Sequence, residues 1–178
     1  MSRKTFRHTL RLWAYTPGLW VLLLYRIGCS LSHLCMRHRI LKPLQVVYEF
    51  PYFLLRIFVG IDIPLETKIG EGLYIGHFGG IIIHPKTIIG SNCNISQGVT
   101  IGEGGRGDDR GVPMIGDRVY IGPGAKIFGA ITIGNDVAVG ANAVVTSSVA
   151  DNSVMGGIPA RVLNSDGSKD FVVVEEKE

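Results

Sequence analysis

From Ile63 onward an aliphatic residue recurs every six positions, usually with glycine behind it. The series runs Ile63, Ile69, Ile75, Ile81, then after a two-residue shift Ile83, Ile89, Ile95, Ile101, and after a loop Ile115, Ile121, Ile127, Ile133, Val139 and Val145. Six matches neither the 3.6-residue turn of a helix nor the alternation of a strand, but it fits a chain that turns a corner after each short strand. Three hexads then make one triangular coil. The aliphatic side chain points into a narrow core and stacks on its equivalents, and the small residue beside it lets the backbone bend. The predicted fold is mainly β: a parallel β-helix of about five coils between residues 63 and 150, preceded by a short α-helical segment.

Composition agrees with such corners. The chain has 178 residues and 24 glycines, of which all but Gly18, Gly28 and Gly167 fall between Gly60 and Gly157. No Gly-X-Y period accompanies them, so collagen is excluded, and 46% hydrophobic residues exclude general disorder. Cys29, Cys35 and Cys93 are odd in number and lack CxxC spacing, which argues against a disulfide framework and for a reducing, cytoplasmic setting. With only His77 and His84 beside Cys93 in the repeat, three zinc ligands cannot be assembled, and no metal is expected.

Three regions follow: a basic, apolar, helical segment over 1–60, the β-helix over 61–163, and a solvated tail over 164–178. The first carries nine Arg or Lys against the single acid Glu49, and the other 118 residues balance to −5 of the total +3. Its apolar runs, one around 19–25 and LQVVYEFPYFLLRIFVG at 44–60, are too short or too interrupted by Arg26, Glu49, Pro51 and Arg56 for a confident membrane span. No small-residue cleavage site follows the first run, so a secretory signal is not expected. Two readings stay open: a bundle packed on the coils or on a neighbouring subunit, or an interfacial segment making peripheral contact with the cytoplasmic face of an anionic inner membrane. No nucleic-acid-binding pattern accompanies the charge. The coil ends need covers, one from this segment and one from the chain after Pro159.

Two interruptions of the period mark candidate sites. The first is the shift at Ile81–Ile83. The second is EGGRGDDRGVP at 103–113, where core positions lie fourteen apart in place of twelve. His77, in GHFGG, is surrounded by small residues that leave its imidazole accessible and its neighbouring amides available to a developing negative charge. Asp62 precedes it by fifteen residues, three short of a coil, so a modest corner displacement brings a carboxylate to the imidazole, where it would fix the tautomer and stabilise an imidazolium.

Taken together, the hexads, Asp62-Ile63-Pro64, Gly76-His77-Phe78-Gly79-Gly80, QGVTIG at 97–102, IGPGAKI at 121–127 and GIPAR at 157–161 resemble the serine acetyltransferases of the left-handed β-helix acyltransferase superfamily. The resemblance covers roughly residues 60–162. It implies left-handed coils and a homotrimer, with acetyl-CoA as co-substrate in a groove between neighbouring subunits and no permanently bound cofactor. His77 would be the general base that takes the proton of an acceptor hydroxyl, and Asp62 would orient it. CoA would touch the backbone at Pro123 and Ala141, with Gly102 nearby and Arg161 toward the nucleotide. Gly76 stands where the family carries an acid and Val112 where it carries a second histidine, both groups that handle serine. The family's long N-terminal helical domain is here a shorter basic segment, as in relatives that acetylate sugars in exopolysaccharide assembly. The expected acceptor is accordingly a hydroxyl of a sugar, polysaccharide precursor or lipid-linked sugar, with Gly76 and Arg110 on its side of the site. L-Serine, as in cysteine biosynthesis, is the alternative, and Arg110 suits a carboxylate of either. A catalytically silent scaffold is the reading from a different class.

Overall fold

The computed structural model describes residues 16–107 and 110–172. Among the described residues, two antiparallel helices come first. Helix α1 (Pro17–Arg37) opens on a proline whose missing N–H costs nothing at the first turn. A 3₁₀ turn (Arg39–Leu41) leads into α2 (Lys42–Val59). That helix stops at Gly60, whose φ of 67° is left-handed and whose N–H donates to the Arg56 carbonyl at 2.9 Å.

Fourteen short strands then wind through three sheets, and each coil gives one rung to each sheet. The first sheet stacks β1 (Ile61–Asp62), β3 (Ile81–Ile83), β6 (Thr100–Gly102), β9 (Lys126–Phe128) and β12 (Val144–Val145). The second holds β2 (Lys68–Ile69), β4 (Ile88–Ile89), β7 (Met114–Ile115) and β10 (Thr132–Ile133). The third holds β5 (Asn94–Ile95), β8 (Tyr120–Ile121), β11 (Ala138–Val139), β13 (Val154–Gly157) and β14 (Ala160–Asn164). All pairings are parallel except β13 with β14. The hexad aliphatics are the core: Ile63, Ile81, Ile95, Ile101, Ile121, Ile127, Ile133 and Val139 are fully buried.

Register locates the two interruptions. Ile83 pairs with Ile101 and Ile127 with Val145, eighteen positions apart, but Ile69 pairs with Ile89, twenty apart, so two extra residues enter at the His77 turn. Ile101 pairs with Ile127, twenty-six apart. The loop thus stretches a single hexad step from six positions to fourteen, an eight-residue insertion, where sequence counting took it as two steps lengthened by two. Reciprocal hydrogen bonds between Gly104 and Gly111, at 3.0 and 2.9 Å, close its neck.

Both ends of the prism are covered. Val21 and Tyr25 of α1 and Tyr52 of α2 join the core cluster over the first coil, and the Tyr52 hydroxyl donates to the Ile63 carbonyl at 2.7 Å. At the far end β14 folds back on β13. The chain beyond it, expected to be a solvated tail from residue 164, is exposed at most positions but is held to the coils at two points. Ser168 is buried and donates to the Arg118 carbonyl, and the Phe171 ring stacks on Tyr120 at 4.6 Å between centroids. An aromatic ring gains more from that contact than from water. Residues 173–178 lie outside the described residues.

Candidate active site

One corner of the prism, where the chain passes from the third sheet to the first, carries most of the chemistry-bearing residues. Residues 77–80, 96–98, 123–124 and 141–142 turn this corner in successive coils. Gly80, Gly98 and Gly124 take φ of 67°, 72° and 74°. A Cβ on Gly80 would lie 3.3 Å from the Gly98 Cα, and one on Gly98 3.4 Å from the Gly124 Cα, so only bare backbone stacks this closely. Gly98 N–H donates to the Gly79 carbonyl, Gly124 N–H to that of Gln97 and Asn142 N–H to that of Pro123, each at 2.9 Å. The outcome is an edge of peptide groups with few side chains, which a slender ligand can follow.

His77, Pro123 and Ala141 lie along this edge, about 14 Å end to end at ~4.8 Å per rung. Arg161 joins its far end, because β13 stacks on β11 with Met155 on Val139, and Arg161 sits opposite Gly156 in the β13–β14 pair. Gly102 and Arg110 are elsewhere. Gly102 ends β6 and Arg110 lies in the loop after it, at the opposite end of the first-sheet strands from the His77 turn. Within one chain, therefore, the structure brings together the expected base and most of the expected CoA contacts, and separates them from Gly102 and the loop.

His77 is exposed and has no hydrogen-bond partner among the described residues, as befits a group that must meet a substrate. Gly60, the last residue before β1, packs against its turn: a Cβ there would lie 3.2 Å from the Gly79 Cα. Asp62 stands two residues on, paired in register with Ile82. Its Oδ1 accepts a charge-assisted hydrogen bond from Arg56, in the last turn of α2. The expected carboxylate–imidazole contact is thus replaced in the single chain by an Arg56–Asp62 pair, which leaves Oδ2 available. A cavity of about 280 Å³, lined by Phe53, Arg56, Ile57, Asp62 and Gly80, opens beside that pair.

At Gly76, where the family has an acid, a Cβ would come within 3.1 Å of the Tyr74 ring and hydroxyl, so a side chain there would need the exposed Tyr74 to shift slightly. In the loop, Arg110 donates to Glu103 at 2.5 Å. That bond holds the Glu103 carboxyl below its ordinary range and pushes the Arg110 guanidinium up. Arg56 and Tyr74 are the neighbours that the sequence did not single out. Arg56 entered only as a basic charge and as an interruption of an apolar run, although its place six residues before Asp62, at the end of a helix, was a usable signal. Among the described residues no group of three His, Cys, Asp or Glu is placed to hold a metal ion.

Comparison with known proteins bears on the whole arrangement. The family described as bacterial transferase hexapeptide (six repeats) matches residues 113–147. Serine acetyltransferase of Helicobacter pylori (strain J99) is 38% identical over 150 residues, covering 84% of this chain and 83% of the relative. The Staphylococcus xylosus enzyme is 41% identical over 140 residues, covering 78% and 64%. Among solved structures, serine acetyltransferase from Brucella abortus in complex with coenzyme A aligns with a TM-score of 0.73 at 28% identity, over 86% of this chain and 58% of that one. The Neisseria gonorrhoeae enzyme in complex with serine aligns with 0.71 at 31%, over 86% and 59%. The chain thus spans somewhat over half the length of these solved proteins, and their coils are the left-handed β-helix expected above. A hexapeptide prism with an exposed histidine turn on a bare backbone edge, and with this likeness over most of its length, belongs to the serine acetyltransferase family of hexapeptide-repeat acyltransferases.

Proposed function

We propose that this chain transfers the acetyl group of acetyl-CoA to the hydroxyl of L-serine, as a homotrimer in which the donor lies along the 77–141 edge between neighbouring subunits. The observation that carries this reading is the alignment of His77, Pro123, Ala141 and Arg161 on one edge, in a chain 38% identical to a serine acetyltransferase over 84% of its length. His77 removes the hydroxyl proton as the oxygen attacks the thioester carbonyl. Backbone amides of the glycine turn face the oxyanion of the tetrahedral intermediate. Collapse expels the CoA thiolate, which takes the proton back from the imidazolium, so no covalent enzyme intermediate forms. Asp62, steadied by Arg56, offers its second oxygen to the imidazolium. Arg161 at the far end suits a phosphate of the donor. The free thiols support a reducing, cytoplasmic setting.

The sugar acceptor expected from the sequence has less behind it, since the relatives compared are named for serine and one solved relative holds serine. Two observations still favour an acceptor without serine's ammonium and carboxylate: the Tyr74 side chain lies against Gly76, and Arg110 is paired with Glu103. Purified protein given acetyl-CoA with either L-serine or a panel of sugar nucleotides, followed by free thiol, separates the two. Thiol release with serine is expected. Turnover on a sugar with none on serine reverses the assignment. The His77→Ala variant should lose about 10²- to 10⁴-fold in rate while keeping its assembly, and full activity in that variant removes His77 from the mechanism.

A further inference from the structure

We propose that the outer face of the α1–α2 hairpin docks on an anionic lipid surface, with both helices lying in the plane of its headgroup region. A helix on the surface of a soluble protein turns its apolar stripe inward and its polar residues to water. Helix α2 buries Tyr52 against the coils, with Tyr48, Leu55 and Val59 packed beside it, yet it is apolar on its outer side as well. Its polar Gln45, Glu49 and Arg56 line a groove of about 760 Å³ against α1 and the first coil. Its outward face carries Val46, Val47, Phe50, Ile57 and Phe58, which are between 59% and 83% exposed. Helix α1 is likewise apolar on both sides: Val21, Tyr25 and Gly28 face the coils, and Trp20, Leu23, Ile27 and Leu34 are exposed on its outer side. Such a contiguous apolar surface on two adjacent helices needs a cover.

Charge selects the cover. At the tip of the hairpin the exposed Met36, Ile40 and Leu44 alternate with Arg37, Arg39 and Lys42, and no acid precedes Glu49 anywhere in the chain. A second copy docked face to face would set these bases against their own equivalents, because a two-fold contact joins the same patch to itself. An anionic headgroup layer neutralises them, while the acyl boundary takes the aromatic and aliphatic side chains. Helix α1 is long and apolar enough to cross a membrane by length and composition, but it is tied to the prism. Arg26 donates to the Ile69 carbonyl at 2.7 Å and to that of Gly70, and Tyr25 donates to that of Thr67. While those bonds hold, α1 lies on the bilayer rather than through it, and the contact is peripheral.

The test is co-sedimentation of the full chain with vesicles of phosphatidylcholine alone or mixed with phosphatidylglycerol, at low and high salt. Binding to the anionic vesicles, several-fold weaker at high salt and absent from the neutral ones at low protein, is expected. Two variants keep the outcome interpretable: Val47→Glu with Phe50→Glu, and Arg37→Glu with Arg39→Glu and Lys42→Glu. Each should cut vesicle binding about tenfold or more, with circular dichroism and thiol release in solution unchanged. Failure of the parent chain to bind anionic vesicles overturns the proposal, as does binding that neither variant weakens. A change of molecular mass in light scattering of the Val47/Phe50 variant would make this face a subunit interface, and that also overturns it.

Discussion

Asp62 shows what a single residue's surroundings add to a motif. A carboxylate fifteen positions before a histidine in a hexapeptide repeat suggests a dyad, but the structure gives Asp62 a cation from outside the repeat, with Arg56 bonded to one oxygen and the other left free. A carboxylate held at one oxygen presents the second in a narrower range of directions, which is what an imidazole partner needs. The arrangement is not free of cost, because the Arg56 Nε is buried without a partner. Arg56 is therefore read as a positioning residue. Arg56→Ala should lower kcat about ten- to hundredfold while leaving KM for acetyl-CoA close to that of the parent, because the donor's edge lies on other residues. Arg56→Lys, or guanidinium added to the alanine variant, should restore part of the rate. An unchanged kcat in Arg56→Ala would show that the pair does not bear on catalysis. Sequence reading missed this contact because a charge total dissolves Arg56 into a basic segment, and only the turn at Gly60 brings the helix end back over β1.

At the scale of elements, the hexads were legible because each carries its own signature of a buried aliphatic followed by a small residue, repeated in every sheet. What could not be read was how much chain the loop inserts. A gap of fourteen between Ile101 and Ile115 fits two steps with two extra residues or one step with eight, and residues 103–113 contain no hexad of their own to decide it. The Ile101–Ile127 register decides for eight. The docking of 165–172 was equally hidden, since the polar composition there gives no sign that Phe171 meets Tyr120. The eight-residue reading has a direct consequence. Deleting residues 104–111, which the Gly104–Gly111 bonds already bring together at the neck, leaves Ile101-Gly102-Glu103-Val112-Pro113-Met114 as an ordinary hexad before Ile115. That variant should fold with a Tm within about 4 °C of the parent, because shortening a surface loop changes little closure entropy, and should lose thiol release. Collapse of the β signal in circular dichroism would mean that the loop is part of the coil after all. A true core change behaves differently: Ile101→Ala, fully buried between Ile83 and Ile127, should cost about 2–5 kcal/mol in denaturant unfolding.

For the whole molecule, the decisive fact is that the two interruptions of the repeat lie at opposite ends of the first-sheet strands. The His77 turn leads into β3, whereas the loop with Arg110 leaves β6. In the proposed trimer, a site that needs both would be incomplete in one chain and completed by the loop of a neighbour around the three-fold axis. That geometry predicts complementation. Chains carrying His77→Ala and chains lacking 104–111 are each inactive as pure assemblies. Co-expressed, they should form mixed trimers if the proposed assembly holds, and each mixed trimer would contain one junction where an intact histidine edge meets an intact loop. Activity should therefore return in the mixture, in proportion to the mixed species resolved by two different affinity tags. If histidine and loop served the same chain's site, every site in the mixture would carry one defect, and the mixed species would be as inactive as its parents. The experiment thus reads the assignment of the loop to a neighbouring subunit without knowledge of the acceptor, since any hydroxyl compound that supports thiol release in the parent protein can report it.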